Sequence, residues 1–187
     1  MTETHCHGEG VTDSVDAYLQ DATFGINSIL GEIRTESSLT SAQLPDIAQF
    51  EVDQILVDEF PYCATIATDF RSATGESVGR TNAPGRRFGE VDVEVSIVIL
   101  GSGLSHDAAR SQEATVHRAG MRYAAAMHRL LMARPARGQS LNAGSGRGVA
   151  KIVNIFGITQ ILNAVLEDVN EPNRVIKTLF SVRTSEE

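Results

Sequence analysis

Several groups of residues in this 187-residue sequence carry side chains and spacings that invite a chemical reading. His5, Cys6 and His7 hold metal-ligating atoms, but adjacent residues do not close a tetrahedral site, and no second ligand cluster follows them. GSGRGVAK, residues 144–151, has the glycines of a phosphate loop. Such a loop needs Gly-Lys-Ser/Thr opening a helix, so that lysine and hydroxyl meet phosphate and magnesium. Here the lysine opens an extended run and no such hydroxyl follows, so the segment reads as a connector. Gly101, Ser102 and Gly103 follow a strand-like run without the third glycine and later acid of a dinucleotide turn, and read as a turn. Ser105, His106 and Asp107 have the residue types of a catalytic triad, yet neighbours on one turn cannot converge as triad members must. His106, His117 and His128 recur every eleven residues. That is about 16 Å of helix per step, too far to share a metal ion, and they read as solvated histidines. With no paired carboxylates, nucleophile elbow or ligand quartet elsewhere, the expectation is a protein that is not an enzyme. No catalytic, cofactor-binding or metal-binding residue is assigned.

Arginine is the residue type with a pattern. It outnumbers lysine fourteen to two. Arg118, Arg122 and Arg129 fall within about 40° of one another on a helical wheel, opposite the apolar positions. The simplest reading is a solvated helix face. The alternative is a contact surface for an acidic neighbour, and the chain itself supplies one. Residues 1–60 hold twelve acids and only Arg34, whereas residues 61–187 hold twelve acids and fifteen bases. Opposite charge on different parts of one chain favours head-to-tail contacts, and hence a ring. A second arginine group, Arg80, Arg86 and Arg87 with Phe88, lies in the long segment 71–90. Loops of that length inside compact domains are uncommon and usually functional, and arginine and aromatic residues dominate interface hot spots. These seven residues are the candidate interaction residues.

The elements that must position them follow from periodicity. Residues 14–34 repeat apolar side chains at helical spacing (Val15, Tyr18, Leu19, Ala22, Ile26, Ile29, Leu30 and Ile33), which predicts one amphipathic helix capped by Thr12, Asp13 or Ser14. Residues 1–12 then form a mobile end. Residues 50–60 and 63–70 read as two strands, or as one irregular lead-in and one strand, with Cys63 a small core residue. Val91, Val93, Val95 and Ile97 alternate with Asp92, Glu94 and Ser96, the clearest strand in the chain. Residues 105–133 predict a second helix capped by Ser105, burying Val116, Gly120, Tyr123, Met127, Leu130 and Leu131, and ended by Pro135. Long loops are expected over 71–90 and 134–150. Three further strands follow, over 151–160, 161–169 and 174–183, with the last two paired across the turn residues Asn170, Glu171, Pro172 and Asn173. The predicted fold is α+β, one domain over 1–187. It has an antiparallel or mixed sheet of about five to six strands and two main helices on one face.

Composition sets the outer bounds. Apolar residues make up 42% and charged residues 21%, values of a folded domain rather than a disordered tail. No run of ~18 apolar residues is present for a membrane span, and the polar, acidic start lacks the features of a signal peptide. The net charge of −8 argues against nucleic-acid binding by the chain as a whole.

In this order of elements the sequence resembles the tail-terminator, or tail-completion, proteins of long-tailed bacterial and archaeal viruses. The resemblance lies in SVDAYLQDATFGINSILGEI, FPYCATI, VDVEVSIVIL, EATVHRAGMRYAAAMHRLL and the final hairpin with RVIKTLFSVR, and covers residues 14–183. It implies a virion protein assembled in the host cytoplasm, whose hexameric ring caps the tail tube and joins it to the head or neck. Its implied partners are further copies of itself, the tail tube protein and a head-completion protein. A net acidic ring would let DNA pass without specific binding, because phosphates are repelled. The alternatives are another head–tail connector ring, or a small-molecule-binding or enzymatic α+β domain that uses the 71–90 loop as a lid.

Overall fold

Val91, Val93, Val95, Ile97 and Ile99 lie on one side of a strand, and none is more than 2% exposed. A two-residue period of β-branched side chains places them all on one face of a pleated strand, which only a covering layer can remove from water. The computed structural model describes residues 7–51, 60–72, 88–106, 109–133, 149–162 and 170–185. Its sheet comprises β1 (Gln49–Glu51), β2 (Tyr62–Ser72), β3 (Phe88–Leu100), β4 (Val149–Leu162) and β5 (Asn173–Ser185), in the order β1-β2-β3-β5-β4. β1 runs parallel to β2 and all other pairs are antiparallel, so the sheet is mixed and the class is α+β, as the pattern predicts. Register carries the apolar face across the strands: Val91 faces Val182, Val93 faces Phe180, and Ile97 lies between Cys63 and Ile176.

The helical layer is α1 (His7–Leu19), α2 (Ile26–Ser37) and α3 (Gln112–His128), the last continued by a wider π turn, Arg129–Ala133. All three bury their apolar sides in one core that runs from Val11 to Val182 and includes Cys63. The single helix expected over 14–34 is therefore two, and the first starts at His7, with Val11 and Thr12 buried. Residues 7–12 thus belong to the fold rather than to a mobile end. The break has a local cause. The Asp21 carboxylate accepts hydrogen bonds from the Thr23 and Phe24 amides (2.8 and 2.7 Å), an Asx turn that competes with helix. Gly25 then comes close to the end of α1, where an added Cβ would stand 2.4 Å from the Leu19 carbonyl oxygen. α3 also starts later than expected: Ser111, not Ser105, is the cap, and its hydroxyl accepts from the Ala114 amide at 3.2 Å.

The link 38–48, polar in sequence, is part of the core. Leu44 and Ile47 are buried, and the Asn27 side chain both donates to the Ile47 carbonyl and accepts from its amide (3.0 and 2.8 Å). Tyr123 donates to the Pro45 carbonyl at 2.6 Å, and Arg34 donates to the Leu44 carbonyl and to Asp46. The strap is thus clamped between α2 and α3. At the C-terminal end, β5 pairs with β4 over 149–162 rather than with a strand at 161–169. Residues 163–169 and most of the predicted strand 50–60 lie outside the described residues. The 71–90 loop is shorter than expected: Arg71 and Ser72 extend β2, and residues 88–90 begin β3.

One buried acid sits in this core. Asp16 of α1 is 8% exposed and accepts a 2.5 Å hydrogen bond from Thr65 of β2. Burial raises its carboxyl pKa above the usual 3.8, against the pull of that hydrogen bond and with a further push from Asp13. A folded-state pKa above the unfolded one means that stability falls as pH rises from the unfolded value through the folded one. Asp16→Asn keeps an acceptor for Thr65. It should unfold at higher denaturant than wild type at pH 7, and the gain should shrink at pH below the ordinary 3.8. The glycines supply a paired test. Gly25→Ala places its methyl against backbone and should destabilise. Gly31→Ala, inside α2 with its nearest neighbour 3.6 Å away, should stabilise by ~0.5–1 kcal/mol, both read by thermal melts.

Candidate functional site

The three arginines predicted on one face of the second helix do not act as one group. Arg129 opens the π turn and makes a two-pronged pair with Glu36 of α2, at 2.8 and 2.6 Å. Each group favours the charged form of the other: the hydrogen bond to Arg129 holds the Glu36 carboxyl below its usual pKa, and that to Glu36 raises the guanidinium's. Arg129 is thus spent inside the subunit, tying α2 to the end of α3.

Arg118 and Arg122, one helical turn apart on α3, turn instead toward Arg110. Together with Leu39, Gln43, Ser105 and Thr115 they line an open cavity of about 60 Å³ between α3, the 38–48 strap and the end of the β3–α3 connection. Burial, then the like charges of Arg118 and Arg110, lower the Arg122 guanidinium pKa from its ordinary value. Among the described residues no carboxylate pairs with Arg118 or Arg122. The cavity owes its shape to two sequence features: the Tyr123 and Asn27 clamps that hold the strap, and the i, i+4 spacing of the two arginines. Arg110 and the strap's contribution were not singled out from sequence. The polar, proline-containing strap gives no periodic signal, so its wall of the cavity emerges only from tertiary packing.

The other sequence candidates lie elsewhere. Arg80, Arg86 and Arg87 fall outside the described residues. Phe88 is the first residue of β3, its backbone paired with Ser185 of β5. His117 and His128 are exposed on α3, and His106 precedes that helix. Among the described residues no three His, Cys, Asp or Glu side chains come together as a metal site. Cys63 is a buried thiol whose pKa is pushed up by burial and by Asp16. No described helix is long and apolar enough to cross a membrane.

One buried cation was missed altogether. Arg174 of β5 lies on the helical face of the sheet opposite Ile99, and its guanidinium donates to Glu113 in the first turn of α3 at 2.5 Å. At the start of a strand an arginine reads as a surface residue. Only the register shows that it pins α3 to β5.

Comparison with family models and with curated proteins finds no match to the chain.

The Arg129–Glu36 pair is exposed, so its effect is on local order and is screened by salt. Arg129→Glu sets a like charge beside Glu36 and Glu32. Its melting temperature should fall at low ionic strength and recover in high salt, with the native mass of the protein unchanged. A changed mass would return Arg129 to the subunit interface.

Proposed function

We propose that the chain is a structural virion protein, a tail terminator whose subunits form a ring, six by resemblance, that caps the tail tube and meets the head or neck. The observation that carries this reading is the outer side of β4, the last strand of the sheet among the described residues. This fourteen-residue strand pairs with β5 on one side, and among the described residues nothing pairs with its other side. A long strand edge with unpaired amides and carbonyls is a template for another chain. Register shifts at Ile152/Asn154 and Ile155/Gly157 bend its first half, which bars unlimited edge-to-edge growth. Residues 157–162 remain regular, and Phe156 stands 52% exposed beside them. An edge so limited suits a closed head-to-tail assembly better than a fibre. The acidic first 60 residues and the basic remainder add charge complementarity between copies. Arg80, Arg86 and Arg87 remain the proposed contacts to an adjacent ring, and a net charge of −8 suits a lumen through which DNA passes without specific binding.

The reading is tested by native mass spectrometry and by adding the protein to polymerising tail tubes. A species of about six 20.1 kDa chains that halts tube growth is expected. Phe156→Lys, at an exposed site, should leave the circular dichroism unchanged and dissociate that species. A protein that stays monomeric at every concentration and leaves tube length unaffected would overturn the proposal.

A further inference from the structure

We propose, building on the ring reading above, that copies of this chain join head to tail through two helix faces. The face of α3 around Met121 and Ala125 packs on the face of α1 around Asp13 and Ala17 of the next copy. Large apolar side chains left in water mark contact surfaces when they gather on one side of a molecule. Met121 of α3 and Met132 of its π turn are 56% and 48% exposed, and Phe156 of β4 is exposed on the same flank. Phe24, between α1 and α2, is 55% exposed, and Ile66 of β2 is exposed on its flank. The strand order sets β2 and β4 on opposite sides of β3 and β5, with α1 over β2 and α3 over β5 and β4. The two groups therefore lie at opposite ends of the helical layer, where a head-to-tail contact needs its two halves.

Local contacts turn both faces outward. On α3, Gly120 abuts Gln160 and Arg174 of the sheet, and Tyr123 reaches the strap. Met121 and Ala125 are exposed on the side away from both, and Arg118 falls within about 60° of them on the helical wheel. On α1, Asp16 faces Thr65 of the sheet and Tyr18 faces the π turn after α3. Asp13 and Ala17, one turn apart, are exposed on the remaining side. The faces are complementary. Ala17 and Ala125 are small enough for the two helix axes to approach to about 8–10 Å. Met121, unbranched and adaptable, fills the irregular space between them. Arg118 at the edge of one face then meets Asp13 at the edge of the other. A two-fold pairing of α3 with itself would set Arg118 toward a second basic face, and α1 with itself would set Asp13 toward a second acidic one. Contact between unlike faces satisfies both charges.

The test follows assembly of the full-length chain by native mass spectrometry and sedimentation over a range of concentrations. Met121→Asp spoils the α3 face and Ala17→Arg the α1 face. Both sites are exposed, so circular dichroism should match wild type, while the concentration for half-assembly should rise at least about tenfold for each. Mixed in equal amounts, the two variants keep one sound junction, the α1 face of one against the α3 face of the other. The mixture should therefore give a species of two 20.1 kDa chains that neither variant forms alone. Asp13→Arg and Arg118→Asp should each weaken assembly roughly two- to fivefold, and the chain carrying both should recover it. If either face variant fails to fold, these charge reversals decide, and a double reversal no better than the singles would overturn the proposal. Assembly of both face variants as wild type, or a mixture that stays monomeric, would overturn these contacts and leave a ring built on other surfaces standing. Loss of assembly by Met121→Asp with Ala17→Arg unaffected would overturn them in favour of α3 pairing with itself. A wild-type chain that is monomeric at every concentration would overturn the ring and these contacts together.

Discussion

Five β-branched side chains on one face of β3 demand a cover, and nearly every other feature of the fold answers that demand. Burying one such side chain contributes roughly 1.5–3 kcal/mol, so a central strand with an uncovered apolar face would not persist in water. The cover must extend over β2 and β5, because register brings Cys63, Ile176, Phe180 and Val182 onto the same face. One straight helix from residue 14 to 34 could not follow that width. The Asx turn at Asp21 and the close approach at Gly25 divide it, so that α1 lies on β2 while α2 packs against α3. The layer is built to the shape of the strand surface beneath it.

Apolar burial has no direction, and a few polar contacts supply it. Thr65 and Asp16 join β2 to α1, Arg174 and Glu113 join β5 to the start of α3, and Tyr18 reaches the Leu130 carbonyl at 3.1 Å, tying α1 to the π turn. Each fixes where a helix sits along the sheet. Each also costs desolvation, visible in the raised pKa of Asp16, and such groups are tolerated only when hydrogen-bonded. The opposite face of the sheet is different in kind: Glu94 with Lys177 and Asp92 with Ser181 alternate with a small apolar cluster of Tyr62, Val98 and Val175. The sheet is two-sided in character, apolar toward the helices and mixed away from them.

Much of this is legible in the sequence where a period repeats. β3 and the buried face of α3 are read directly, because five or six residues vote for the same face. The α+β class follows from the order of such segments. What escapes is set by single residues or by tertiary pairing. The split at Gly25 hides because both half-helices keep one phase, so the wheel of residues 14–34 looks continuous; Asp21 and Gly25 together were the available signal. Ser111 followed by Glu113 marks the true start of α3, but Ser105 and Asp107 imitate it six residues earlier. The partner of β5 depends on long-range register, which the turn chemistry of residues 170–173 leaves open. The cavity is the least legible part, since its walls come from three segments and only Arg118 and Arg122 share a periodic pattern.

The charge asymmetry of the chain takes a different meaning once its partners are placed. As a sum, twelve acids before residue 61 face fifteen bases after it. In the fold, Glu36 is spent on Arg129, Asp46 on Arg34, which belongs to the same acidic third, and Asp16 on Thr65. Glu113 and Glu94, from the basic part, neutralise Arg174 and Lys177 in turn. Internal pairing thus consumes charges that a count assigns to neighbours, and it does so unevenly. Arg118 and Arg122 differ from Arg129 not in wheel position but in what stands across from them. Arg129 meets a carboxylate on α2, whereas Arg118 and Arg122 line an open cavity with Gln43 and Ser105.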